Sequence, residues 1–142
     1  MTHGSDIRAL LEERVEACRS KDIDRLMSLY SDDIVYYDVV PPLRFTGREE
    51  VRKNFLRWFA GYAGPIGLET HASAVAGGEG DFAFAHMLHL DSGTRPDGAE
   101  TSVWVRASVG LRRSEGGWLI THEHISVPVD PETLQAWFPP GD

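Results

Sequence analysis

The chain has 142 residues, 42% of them hydrophobic and 25% charged, which fits one ordinary domain over residues 1–142 that buries its own core. A formal net charge of −8, with no basic run to interrupt it, excludes a phosphate-backbone partner and hence nucleic acid. No apolar stretch approaches a membrane span, and Met1-Thr2-His3-Gly4-Ser5 lacks both the basic region and the apolar run of a leader, so the protein is expected in the cytoplasm, with its single cysteine, Cys18, packed inside.

Ile7, Leu10, Leu11, Val15 and Cys18 recur at helical spacing from Asp6 to about Ser20, with Ser5 placed to cap the first turn. Asp22 can cap a second, shorter helix carrying Ile23, Leu26, Met27, Leu29 and Tyr30, which Ser31-Asp32-Asp33 ends. Ile34 to Val40 is β-branched and aromatic and reads as a strand stopped by Pro41-Pro42, with Asp38 as a carboxylate among apolar neighbours. Thr46-Gly-Arg-Glu49 is a capping-box signature for a helix with Val51, Phe55, Trp58, Phe59 and Tyr62 on one face, ended by Gly61, Gly64 and Pro65. Strands are expected over about 66–76, 81–90, 99–113 and 118–127, and Asp130-Pro131-Glu132 opens a terminal helical turn running to Phe138. Helices are thus segregated from an antiparallel sheet, the pattern of an α+β fold.

Hairpin length decides which residues of the last two strands share a face. A four-residue loop, Ser114 to Gly117, pairs Arg113 with Trp118 and, continued without interruption, Ser108 with Glu123 and Arg106 with Ile125. Trp104, Arg106 and Ser108 then share a face with Glu123. Val103, Val105, Ala107, Val109 and Leu111 join Trp118, Ile120, His122 and His124 on the other face, which needs a cover, and a second copy of the chain is the expected one. A three-residue loop with a bulge would exchange the sides.

The order of elements, Asp38 in the first strand, Pro41-Pro42-Leu43, the Trp58-Phe59 helix, Gly64-Pro65-Ile66, "SVWVRASV" and "GGWLITHEHISVP" together resemble the nuclear-transport-factor-2-like superfamily, and within it the SnoaL-like, ketosteroid-isomerase-like proteins. The resemblance implies a cone-shaped curved antiparallel sheet wrapped around the N-terminal helices, a cystatin-like roll. It also implies a mainly apolar pocket at the open end, into which Trp104, Arg106 and Glu123 look, and often a homodimer packed sheet against sheet.

In that setting Asp38 is either a general base or the anion of a salt bridge with Arg106 or Arg44. Tyr36 shares its face. Arg106 with Glu123 is either a pocket dyad that grips an enolate or carboxylate, or an ion pair that fixes strand register. His86, on a two-residue period with Phe82, Phe84 and Leu88, enters the cone as an acid/base group or sits satisfied in the core. His122 and His124 share a strand face but lack a third ligand, so no metal is expected. Trp58, Phe59, Tyr62, Trp104 and Ser108 complete the lining around a small hydrophobic molecule. The chemistry expected is cofactor-independent proton transfer on a carbonyl compound: isomerisation, cyclisation, dehydration or hydrolysis. The alternative is a non-catalytic ligand-binding or dimerisation module.

Overall fold

The computed structural model describes residues 3–140; Met1 and Thr2 of the opening segment lie outside them. Its elements are α1 (Gly4–Arg19), α2 (Ile23–Met27), β1 (Tyr30–Tyr37), β2 (Phe45–Thr46), α3 (Gly47–Ala60), β3 (Gly67–Gly77), β4 (Phe82–Thr94), β5 (Glu100–Ser114) and β6 (Gly117–Ser126). One open, curved six-stranded sheet in the order β2-β1-β6-β5-β4-β3 carries the helices on its inner face. No helix among the described residues is long and apolar enough to cross a membrane.

Several local expectations are corrected. Ser5 lies inside α1, which starts after His3, and Thr46 precedes α3 without a side-chain capping bond. Tyr30 opens β1 instead of closing α2, and β1 ends at Tyr37, so Asp38 stands just past the strand. The sheet is mixed, because β1 runs parallel to β6 while its other pairings are antiparallel. The terminal segment makes one hydrogen-bonded turn, Leu134 N–H to the Asp130 carbonyl at 2.8 Å, and does not run on as a helix to Phe138. Leu134 takes φ 60°, which α-helical backbone cannot hold, and the segment closes on itself through a Val129–Ala136 bridge.

The core lies between the helices and the inner sheet face. Ile7, Ala17 and Cys18 from α1, Leu26 and Met27 from α2, and Val51, Phe55 and Phe59 from α3 meet Ala85, Met87, Ala107, Val109, Leu111 and Ile120. Burying each of the larger side chains contributes about 1.5–3 kcal/mol. Burial also pushes the Cys18 thiol up to about 12, leaving it unreactive at neutral pH.

The β5–β6 hairpin starts in the expected register, Arg113 opposite Trp118. Between the Leu111–Ile120 and Gly110–His122 pairs, β6 carries one extra residue, Thr121. This bulge shifts everything beyond it, so that Val109 pairs with Glu123, Ala107 with Ile125 and Arg106 with Ser126. Trp118, Ile120, Glu123 and Ile125 therefore all face inward, joining Val105, Ala107, Val109 and Leu111. Trp104, Arg106 and Ser108 go to the outer face with His124, contrary to the uninterrupted register.

Candidate functional site

Between the C-terminal half of α3, the segment after β1, and the inner face of β4, β5 and β6 lies a cavity of about 330 Å³. Val103, Val105, Ile125 and Val127 give it an apolar wall, with Phe55 and Trp58 opposite. Asp38, Asp91 and Arg14 line it from different elements.

Asp38 is held by α3. Its Oδ2 accepts from Asn54 Nδ2 at 2.7 Å, its Oδ1 from the Val39 amide at 2.7 Å, and Arg57 Nη2 stands 3.8 Å from Oδ2. Arg57 also donates to Asn54 Oδ1 at 3.0 and 3.1 Å, which fixes the amide so that its NH₂ must face the carboxylate. The cation beside Asp38 is thus Arg57, in place of the expected Arg106 or Arg44. Asn54 and Arg57 are three apart on one helix, so a single turn positions both.

Asp91 is held by the end of the same helix. Trp58 Nε1 donates to its Oδ2 and the Tyr62 hydroxyl to its Oδ1, each at 3.2 Å. Burial raises the Asp91 carboxyl to about 6, against the pull of these two donors and of Arg95, whose guanidinium lies 5.6 Å over the Tyr62 ring. A Cβ at position 93 would come within 2.7 Å of Tyr62 Cδ1, so glycine there is what lets the ring lie against β4 and reach Asp91.

Behind the apolar wall sits a buried polar cluster. Arg14 donates through Nε to Glu123 Oε1 at 3.1 Å and to the Tyr30 hydroxyl at 3.0 Å, and through Nη2 to Glu123 Oε2 at 2.6 Å. The Tyr30 hydroxyl in turn donates to Glu123 Oε1 at 2.7 Å. Glu123 is 0% exposed and Arg14 5%. Next to them His89 pairs its Nδ1 with Thr70 Oγ1 at 3.1 Å; burial first, then the Arg14 charge, lowers its imidazole to about 4, so it is neutral at pH 7. Beyond this cluster a second cavity of about 560 Å³ opens between α1 and β3, and Arg14 and His89 border both spaces.

Of the residues singled out from sequence, Asp38, Tyr36, Trp58 and Tyr62 line the first cavity. Phe59 packs in the core against Phe55 and Trp58. Glu123 faces inward, but its partner is Arg14; Arg106 instead donates to Ser126 Oγ at 3.1 Å on the exposed face. His86 also stands outside, because the inward set on β4 is Ala83, Ala85, Met87 and His89, the opposite parity to Phe82, Phe84, His86 and Leu88. His86, Ser108 and His124 form one cross-strand row on that outer face, and Trp104 lies there against His71 at 5.0 Å between ring centroids. His122 donates through Nδ1 to the Val35 carbonyl, 2.8 Å away, and Tyr37 packs edge-on to both His122 and His124.

Arg14, Asn54, Arg57, His89 and Asp91 are absent from the sequence-derived set. Arg14 had a signal: it occupies the apolar stripe of α1, four residues after Leu10 and four before Cys18, where a charge needs a buried partner. His89 and Asp91 follow Ala83, Ala85 and Met87 on a two-residue period, a signal masked by the bulkier phenylalanines in the other phase.

The sequence profile of the SnoaL-like domain matches residues 7–130. A search of curated proteins finds no match. Among solved structures, an NTF2-like protein of unknown function from Pseudomonas putida KT2440 is 34% identical, covering 97% of this chain and 95% of its own, with a TM-score of 0.86. A ketosteroid isomerase-like protein from Erwinia carotovora atroseptica SCRI1043 is 23% identical over 84% of this chain and 92% of its own, with a TM-score of 0.73. The association domain of C. elegans CaMKII is 17% identical over 87% and 94%, with a TM-score of 0.68. The latter two likenesses concern the fold alone.

Proposed function

Since the chain belongs to the SnoaL-like domain family, we propose that its first cavity binds a small hydrophobic carbonyl compound and moves a proton on it by acid/base chemistry without a cofactor. The observation that carries this reading is the pair of differently held carboxylates on one apolar cavity, with Asp91 titrating near neutrality. Asp38, anchored by Asn54 and the Val39 amide, is the base that takes a proton from the carbon next to the carbonyl. Asp91 is the acid that can give a proton back at a second position. Tyr62 and Trp58 orient it.

The test is hydrogen–deuterium exchange at the α-carbon of aryl and alicyclic ketones such as 2-tetralone, followed by proton NMR in D₂O. Asp38→Asn is expected to lower the exchange rate by about 10²–10⁴-fold while the ketone still raises the melting temperature. Ketone binding with an exchange rate unchanged by Asp38→Asn would turn the assignment toward a non-catalytic binding module.

The same family reading includes a homodimer through the outer sheet face. Phe82, Phe84 and Leu88 are 69%, 48% and 41% exposed there, in one row along β4, and an apolar strip of this kind is unusual on a monomer. A second copy related by a two-fold axis would cover it with the same residues.

A further inference from the structure

Two exposed arginines that line the first cavity stand side by side. Arg57 lies beside Asp38 with its side chain half-exposed, giving Nε and Nη2 to Asn54 Oδ1, and its Nη2 is 3.8 Å from the Asp38 carboxylate. Arg95 holds its guanidinium carbon 5.6 Å from the centre of the Tyr62 ring, whose hydroxyl meets Asp91. Gly61 brings the two together. It caps α3 in helical backbone, four residues after Arg57, so a Cβ there would lie about 6 Å from that of Arg57 on the same face. Arg95 Nη1 is 3.5 Å from that Cβ position. We propose that this pair of guanidinium groups is a subsite for an acidic group, and that the ligand of the first cavity is a keto acid whose carboxylate rests against Arg57 and Arg95 while its hydrocarbon body enters. The ketone half of this assignment rests on the acid/base reading of the cavity.

The balance of charge favours an anion there. Like charges held together repel, and no carboxylate among the described residues pairs with Arg95. Asp38 answers Arg57 only in part, since its oxygens already accept from Asn54 and the Val39 amide. Arg14 is matched by Glu123. Asp91 titrates at about 6, so at that pH it is half protonated and the two arginines outweigh the two carboxylates. The net charge of −8 does not oppose this, because exposed charges more than about 8–10 Å away are largely screened at physiological salt. Arginine also suits the role, since its planar fork takes both oxygens of a carboxylate at once. An acid seated against these exposed side chains keeps water on one side and is spared the desolvation that burial beside Val103, Val105 and Ile125 would impose. The uncharged ketone is the end that enters.

The probes are 2-tetralones carrying a carboxylate at different positions of the aromatic ring, each paired with its uncharged methyl ester. Affinity is measured by calorimetry on the intact protein at pH 6, in low and in physiological salt. At least one acid is expected to bind about 10–100-fold tighter than its ester in low salt, with the ratio falling as salt is added. Arg95→Met is expected to lower acid affinity about 10-fold and leave ester affinity unchanged, whereas Arg95→Lys, which keeps the charge, retains most of the ratio. An Arg95 that only supports Tyr62 would lower both affinities alike when replaced. That result, esters bound as tightly as their acids throughout the set, or no acid bound at millimolar concentration would overturn the inference. Proton exchange at the α-carbon of the bound acid is followed in D₂O alongside. Acid preference without exchange leaves the anion subsite and removes the acid/base reading; exchange with equal affinity for acid and ester does the reverse.

Discussion

Glu123→Ala is expected to lower the unfolding free energy by about 3–5 kcal/mol, measured by urea denaturation, because it leaves the Arg14 guanidinium buried and uncompensated. Arg14→Ala should cost a similar amount by stranding the Glu123 carboxylate. The double variant Arg14→Met/Glu123→Leu should cost less than either single change, since both charges and both desolvation penalties leave together. Tyr30→Phe removes one hydroxyl from the cluster and is expected to cost about 1 kcal/mol. Additive single effects in the double variant would mean that the two residues are not coupled, and the cluster would lose its place as one structural unit.

The second large effect is a dependence of stability on pH in which two buried groups oppose each other. His89 ordinarily titrates at 6.5 and in the fold at about 4, so its contribution is complete above about pH 6.5 and erodes as pH falls toward 4. Asp91 ordinarily titrates at 3.8 and in the fold at about 6, because burial disfavours its charge; its contribution is greatest below about pH 4 and is lost as pH rises through 6. Each limb is worth about 2–3 kcal/mol, less for Asp91 once its partial solvent contact is allowed for. Between pH 4 and 6 the limbs nearly cancel. Asp91→Asn removes the descending limb, so the unfolding free energy from urea titrations should climb from pH 4 to 6.5 and exceed wild type by about 1–2 kcal/mol at pH 8. His89→Phe should do the opposite, with stability declining from pH 4 to 6. Parallel curves for wild type and both variants would exclude these residues as the source. If Asp91→Asn is more stable at pH 8 and slower in α-proton exchange, Asp91 is kept for its chemistry at the expense of the fold.

Much of the architecture was legible because it follows from local patterns. The apolar spacing of α1 and α3, the glycine-rich breaks between strands, and the segregation of helices from sheet each have a short-range cause. The α+β class follows from them, while the curvature of the sheet was implied by the family resemblance. The site was less legible because it depends on parity, a property that one inserted residue inverts. Glu123 was placed inward by assuming that β6 is uninterrupted and that the inner face carries Arg106; the bulge at Thr121 keeps Glu123 inside but exchanges its company. His86 was lost to the same kind of ambiguity on β4, where phenylalanines mark the outer face and alanines the inner one. Side-chain bulk misleads there because Ala83 and Ala85 are buried while Phe82 and Phe84 are exposed. The parallel β1–β6 pairing joins segments far apart in the chain, and no local pattern announces it.

The Thr121 bulge also bears on how relatives of this chain are compared. Residues 118–120 and 123–125 obey opposite odd–even rules: even positions point inward before Thr121, odd positions after it. A relative one residue shorter between its last tryptophan and its His-Glu-His run would keep the glutamate inside without any bulge, whereas one of the same length whose strand runs unbulged would present the histidines to the interior and turn the glutamate outward. An alignment gap moved by a single column across this stretch therefore changes the chemistry assigned to the interior, and Thr121 is the column where such a gap belongs.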